Sequence, residues 1–510
     1  LKIAHNATAP KHILAKHSHE AIGLLPPYVF IFQVFHTAMV QCAPLPFTEY
    51  PHLHWLPALQ QAGAQSIRNG DFIYILPFAR QWHSIKAGTP AFQHLQNLMA
   101  PAAAPMQATL PNGVDVPFSG GWAGVLSYEQ GAELETLPTA KSESKTPDLP
   151  QAVFGYYDTV AVYHLPSQHA GLFSHGRPCP TAQPSTHAAQ QAIAHALHYT
   201  TPRLAAELAR FAWPDFTLSI SPKAHQAAIA RTRAYIAAGD IFQANITARA
   251  YALRPRDYDL SHHFAALYHH TQAPFASFCQ MGNNTGLISC SPERFLKLEN
   301  GTITTSPIKG TRPRGKTAAE DQALRTELAT AEKDRAENLM IVDLMRNDIS
   351  RVSRPGSVTV PEFLHVHSFS HVHHLISTVQ GQLRPDLTWV DLLKATFPGG
   401  SITGAPKIRA MEIIHELEST PRGYYCGCHF WATPQNTMDS SILIRCISAG
   451  ANYLAAAAGG GIVYDSCPLS EYEELCTKLY PIIHPHAFPK VADTCDQHQR
   501  CLLPHDHTAT

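Results

Sequence analysis

Apolar and polar positions keep a clear period through the middle and C-terminal half of this chain and lose it at both ends. Across residues 224–238 apolar side chains recur at helical spacing, and the run stops at Gly239, a residue suited to the left-handed turn that closes a helix. Residues 241–250 then alternate as a half-buried strand does. From there to about Pro481 helical and strand-like patterns interleave, with a helix predicted over 331–349, another over 408–417, and a third opening near Ser466 and Pro468 as cap and first-turn residues. Upstream, residues 71–76 and 153–163 read as strands. Between them lie the glycine-rich stretch 118–128 and a polar loop over 139–150. Residues 166–186, rich in Pro, His and Ser, read as a loose insertion.

These patterns divide the chain into an N-terminal extension (1–49), a first region (50–209), a denser second region (221–481) and a tail (482–510) expected to be disordered. The apolar run 29–40 is interrupted by Gln33 and His36 and is too short to span a bilayer, so the chain reads as soluble.

Composition narrows the options. With 510 residues, 45% of them hydrophobic, the chain can bury one large core or two medium ones. A formal net charge of −1 excludes a global basic field for nucleic acid or anionic lipid, so any anionic ligand must be held by a local site. The 11 cysteines lack Cys-x-x-Cys pairs, which fits reduced thiols in a cytoplasmic protein. Among 32 histidines, His365, His367, His371, His373 and His374 cluster. No carboxylate or cysteine lies in the cluster, and paired histidines occur elsewhere, which favours compositional bias over a metal site.

Several residues carry candidate chemistry. Lys309 precedes Gly310 in a Ser/Thr/Gly-rich turn, where a surface lysine is the plain reading; a buried one must find a counter-charge or lose its proton and become a nucleophile or base. Glu337 shares a helical face with Met340, Ile341 and Leu344, so it needs a cation or a donor; a structural salt bridge is the plain alternative. Glu471, Glu474 and Lys478 fall on one face of the last helix, as ordinary surface ion pairs or as half of a Mg²⁺ site shared with a second helix. Three backbone-rich loops could take an anion: Gly459-Gly460-Gly461, the turn from Gly399 to Lys407, and the Ser291-Pro292-Glu293 turn with Glu293 as a candidate acid.

In succession, Ser291-Pro292-Glu293-Arg294-Phe295, Pro307-Ile308-Lys309-Gly310-Thr311, the run from Lys333 to Leu344, Phe397-Pro398-Gly399-Gly400-Ser401, Thr403-Gly404-Ala405-Pro406-Lys407 and Gly459-Gly460-Gly461-Ile462-Val463 closely resemble the chorismate-utilising enzymes. The resemblance is strong over 221–480 and weaker over 51–163. It implies an α+β fold, a large two-sheet antiparallel β sandwich with outer helices. Within the family, lysine at 309 with glutamine at 243 resembles the aminodeoxychorismate synthases. Anthranilate synthases usually carry alanine at the first position, and isochorismate and salicylate synthases carry lysine at the second.

What the resemblance implies for the site follows residue by residue. Lys309 is the nucleophile and Glu293 the acid. Glu337 and Glu474, with Glu471 nearby, hold Mg²⁺. Arg445, Lys478 and the amides of Gly459, Gly460 and Gly461 hold the carboxylates of chorismate, and His374, Ser401 and Tyr425 complete the pocket. The chain lacks a Gly-x-Cys-x-Gly glutaminase motif, so ammonia is expected from a separate glutamine amidotransferase subunit. Phe430-Trp431 stands where the family has a Gly-aromatic pair, which puts the shape of the pocket wall in question. The family's tryptophan pocket has only a weak match in residues 55–59, so tryptophan binding is not expected.

Overall fold

The computed structural model describes residues 41–45, 62–99, 108–137, 147–174, 213–283, 285–369 and 372–485. The apolar run 29–40, residues 55–59, His371, the insertion beyond 174 and the tail beyond 485 lie outside them.

Two antiparallel sheets, of twelve and ten strands, form an α+β sandwich. Their facing sides meet in a core that includes Ile67 and Tyr74 from the larger sheet and Ala123 and Trp431 from the smaller. A polar chain also crosses the gap. Gln65 Nε2 donates to Tyr157 Oη at 2.7 Å and to the Ala123 carbonyl at 3.2 Å, while Gln65 Oε1 lies 2.9 Å from His429 Nε2. Helices Leu260–Thr271 and Pro468–Ile483 cover the larger sheet. Glu332–Ser350, Trp389–Thr396 and Ala91–Leu98 cover the smaller one. Among the described residues no helix is long and apolar enough to cross a membrane.

Local chemistry explains the element ends. The helix Pro222–Ala237 starts with Ser221 Oγ accepting from the Ala224 amide at 3.3 Å and stops before Gly239, whose φ is +83°. Residues 153–163, expected as one strand, are two: Ala152–Tyr157 lies in the smaller sheet and Thr159–His164 in the larger. The break is at Asp158, a buried carboxylate paired with Arg80 Nε at 2.6 Å. An apolar run on both sides of a sheet change looks continuous in sequence because both halves are buried.

Strands from before residue 175 and after residue 213 share both sheets. Gln65–Asn69 pairs with Phe275–Gly282, and Gly121–Leu126 pairs with Cys428–Ala432. The Phe430 ring lies 5.3 Å from Trp389, and Trp431 faces Tyr74 and Phe118 at 5.9 and 5.0 Å. Neither lines the cleft described below, so this departure from the family pattern leaves its wall untouched.

Two buried histidines make the fold acid-sensitive. Burial pushes His429 down to about 3 and His225 down to about 4. The unfolded chain takes up these protons near pH 6.5 while the folded chain refuses them, so their stabilisation is complete above pH 6.5 and is lost as pH falls toward those values. Each should remove roughly 3–5 kcal/mol over that window. Urea midpoints measured between pH 7 and 4 should fall steeply for the wild type and less steeply for His429→Gln.

Candidate active site

A cleft of about 520 Å³ opens where the chain twice passes from one sheet to the other. The strand Thr285–Ser291 belongs to the larger sheet and Arg294–Glu299 to the smaller, so Pro292 and Glu293 form the crossing. Beside it, Met438–Ile442 leaves the smaller sheet and Cys446–Ala449 enters the larger, with Arg445 at the crossing. The two crossings are tied together, since the Ile442 amide donates to the Glu293 carbonyl at 3.2 Å and the Cys290 amide to the Arg445 carbonyl at 3.0 Å. Arg445 sits at φ +50°, a conformation an L residue adopts at a cost.

Lys309 enters from an edge strand, Ile308–Pro313, which pairs with Val372–Gln382. The pairing slips between Lys309 and Thr311, where Gly310 takes φ +77°. This bulge re-aims the strand so that both Lys309 and Thr311 line the cleft. Thr311 Oγ1 lies 2.9 Å from His374 Nδ1 on the neighbouring strand. Burial, and then the charge of Arg445, hold the His374 imidazole below its ordinary range, so it is a neutral hydrogen-bonding group.

The acids surround Lys309. Burial raises the Glu293 carboxyl above its ordinary value, against a hydrogen bond from Ser401 and the charge of Lys309. A carboxyl whose proton is held more tightly by burial, beside a cation that can exchange a proton with it, is suited to proton donation. Glu337 projects from Glu332–Ser350 at the border of its buried face, which is carried by Asn338, Ile341 and Met345. Burial raises Glu337 as well, with Lys309 and Lys333 opposing and Asp334 and Glu471 adding to the rise.

The opposite wall is the end of the strand Tyr453–Ile462. Gly459, Gly460 and Gly461, expected as a loop, are therefore part of a strand, paired with Thr247, Ile246 and Asn245 on one side only. Cys446–Ala449 leaves the other side after Ala456, so backbone groups of the glycine run face the cleft. A Cβ on Gly460 would lie 2.8 Å from Glu471 Oε2, and one on Gly461 2.5 Å from Gln243 Nε2 and 3.7 Å from Lys309 Nζ. Bare backbone is what allows these groups to approach.

From Pro468–Ile483 come Glu471, buried, and Glu474 and Lys478, both exposed to the cleft. Lys478 Nζ bonds Glu474 Oε1 at 2.6 Å and the Gly459 carbonyl at 3.0 Å. Cys467, and not Ser466, stands at the helix cap; the Ser466 hydroxyl instead donates to Glu471 Oε1 at 2.7 Å. Burial raises Glu471, and Glu474 adds to the rise. Among the described residues no three His, Cys, Asp or Glu side chains are gathered tightly enough to hold an ion by themselves. The crowding of Glu337, Glu471 and Glu474 instead fits a cation held by few carboxylates and completed by water or ligand oxygens.

All thirteen residues singled out from the sequence, Tyr425 included, line this one cleft. Lys407 does not: its ammonium is 2.5 Å from Asp348 Oδ2 and 2.8 Å from the Thr396 carbonyl, so the turn from Gly399 contributes Ser401 alone among the proposed ligands. Asn245, Thr311, Arg312, Lys333 and Asp334 also line the cleft, although no role had been read for them. Thr311, Lys333 and Asp334 lie within the sequence runs quoted above, which was the available signal; Asn245 and Arg312 lie outside them.

The bulge at Gly310 should not tolerate a side chain. A Cβ there would stand 2.8 Å from both Asp334 Cγ and Leu328 Cδ1, in addition to the positive φ. Gly310→Ala is expected to cost about 1–3 kcal/mol and to displace Lys309. A thermal melt together with a crystal structure of the variant checks both.

Comparison with known proteins agrees with this geometry. The family model of chorismate binding enzymes matches residues 63–484. Aminodeoxychorismate synthase component 1 of Klebsiella aerogenes is 41% identical over 369 residues, 72% of this chain and 78% of its own. Anthranilate synthase component 1 of Streptomyces coelicolor is 37% identical over 371 residues, 71% of this chain and 72% of its own. The crystal structure of anthranilate synthase component I from Streptococcus pneumoniae superposes with a TM-score of 0.70 at 28% identity, covering 81% of this chain and 92% of the other. With its lysine, its acids and its glycine-edged wall in one cleft, this chain belongs to the chorismate binding enzyme family.

Proposed function

We propose that this enzyme is an aminodeoxychorismate synthase, converting chorismate and ammonia to 4-amino-4-deoxychorismate for 4-aminobenzoate and folate biosynthesis. The observation that carries the reading is Lys309, held at the cleft surface where its charge acts on both Glu293 and Glu337. Lys309 passes its ammonium proton to the Glu293 carboxylate, and the neutral amine then attacks C2 of chorismate as the ring double bond shifts and the C4 hydroxyl departs. Glu293 gives that hydroxyl its proton so that it leaves as water, a contribution of typically ~10²–10⁴ in rate. Ammonia then adds at C4 and the bond between C2 and Lys309 breaks, so one difficult substitution becomes two easier ones.

Arg445, Lys478 and the free amides of the glycine run are the cleft's groups for the substrate carboxylates, with His374, Ser401 and Tyr425 shaping the rest. Glu337, Glu471 and Glu474 are the residues that would hold Mg²⁺. When bound, the ion neutralises carboxylate charge and orients the substrate. The ammonia source in this reading is a glutamine amidotransferase subunit that forms a heterodimer with this chain in the cytoplasm.

The decisive assay combines the purified protein, chorismate, Mg²⁺ and an ammonium salt, with products separated by chromatography. Aminodeoxychorismate is expected, and anthranilate as the main product would transfer the chain to the other branch of the family. An inactive scaffold for the amidotransferase would consume no chorismate.

Lys309 variants test the covalent step. Without ammonia, a rapid acid quench should trap an adduct on Lys309, visible by intact mass and absent from Lys309→Ala. Lys309→Arg should be less active than Lys309→Ala, because guanidinium stays protonated and fills the space. An active arginine variant with no adduct would remove the covalent mechanism.

For the metal, Glu337→Gln or Glu474→Gln should raise the Mg²⁺ concentration needed for half-maximal turnover at least about tenfold while leaving the melting temperature within a few degrees. Unchanged magnesium titrations in both variants would remove these residues from the metal site.

A further inference from the structure

A buried ion pair behind the cleft has no part in the chemistry above. Arg422, 3% exposed, donates from Nε to Glu418 Oε2 at 2.9 Å and from Nη2 to Glu418 Oε1 at 2.7 Å. Its remaining bonds go to backbone, from Nη1 to the Ile402 carbonyl at 2.8 Å and from Nη2 to the Asn245 carbonyl at 2.5 Å. Glu418 Oε1 in turn accepts from the Thr247 amide and hydroxyl, each at 2.9 Å.

These bonds complete a ladder. The strand Gln243–Leu253 is flanked on its outer edge by the two-residue strand Gly404–Ala405, which pairs only with Gln243 and Ala244. Beyond it, at Asn245 and Thr247, the outer edge would present backbone groups to the protein interior. The Asn245 amide reaches the Thr403 carbonyl at 2.7 Å, and then Arg422 and Glu418 take the place of the missing neighbour. On its inner edge the same stretch of strand pairs Asn245 with Gly461 and Thr247 with Gly459. Arg422 also grips Ile402, next to Ser401, which lines the cleft together with Glu293. The clamp is itself braced from the first region. Glu129 Oε1 accepts from the Arg422 amide at 2.7 Å, and the guanidinium lies 4.5 Å from the centre of the Tyr128 ring.

We propose that Arg422, with Glu418, is a positioning residue that fixes the Ser401–Glu293 acid relative to the glycine-run wall of the cleft. The alternative is a pair that only stabilises the fold, and the two roles separate experimentally. The proposal rests on the reading of this cleft as the site of chorismate turnover.

The experiment measures kcat and KM for ammonium-dependent chorismate consumption, thermal midpoints, and amide hydrogen exchange in Arg422→Lys, Glu418→Gln/Arg422→Gln, Ser401→Ala and Arg422→Lys/Ser401→Ala. Lysine cannot span the four acceptors, so Arg422→Lys should lower kcat about 10- to 100-fold with KM changed less than about threefold. The neutral double variant removes both buried charges and should recover much of any lost thermal midpoint, yet keep the low kcat and faster exchange at residues 399–405. Adding Ser401→Ala to Arg422→Lys should cost little more than the worse single change, since both act through Glu293.

A kcat that returns with the thermal midpoint, or independent losses from Arg422→Lys and Ser401→Ala, would overturn the positioning role. A wild-type protein that consumes no chorismate would instead sink the functional reading. Unchanged exchange at 399–405 in the neutral double variant would then overturn the clamp as well.

Discussion

Everything at this site depends on two strands that change sheets side by side. A strand leaving one sheet for another must interrupt its ladder, and the residues at the interruption are free to point into the gap. Here the interruptions fall at Glu293 and Arg445, and backbone bonds between the crossings hold an acid and a cation in fixed relation. Lys309 reaches the same gap from an edge strand and the glycine run from the end of another. The cleft is thus the corner of the sandwich, and its geometry is set by backbone hydrogen bonds before any side chain is considered.

Charge balance within that corner follows from the same arrangement. Lys309, Arg445 and Lys478 face Glu293, Glu337, Glu471 and Glu474 across a space too small for bulk water to screen them fully. Burial lifts the carboxyls of Glu293, Glu337 and Glu471, while neighbouring cations and hydroxyls pull each back to a different degree. Carboxylates of one chemical type are therefore suited to different tasks, according to what stands beside them.

Side-chain chemistry and, through the family resemblance, the two-sheet antiparallel architecture were legible in the sequence; the points where individual strands change sheets were not. Lys309, Glu293 and the glycine run could be singled out because the runs that contain them match one family in order and wording, although each alone has a plain surface reading. Helix ends at Gly239 and Pro468 were legible because caps are local. The sheet change at Asp158 was not, since burial on both sides hides it. Gly459 to Gly461 read as a loop because three glycines weaken strand propensity, and only pairing with a strand some two hundred residues away makes them one. The assignments of Lys407 and Ser466 also turned on partners, Asp348 and Glu471, that spacing cannot reveal.

The interleaving of early and late strands has a consequence for how the protein is made. Gly121–Leu126 has its neighbour Cys428–Ala432 some three hundred residues downstream, and the cleft takes Lys478 from the last described helix. A ribosome adding about 5–20 residues per second therefore exposes the first region, with unpaired strand edges, for tens of seconds before its partners emerge. The cleft is complete only once the last described helix has cleared the exit tunnel. Until then the growing chain has strand edges without their neighbours and a cleft without one of its walls.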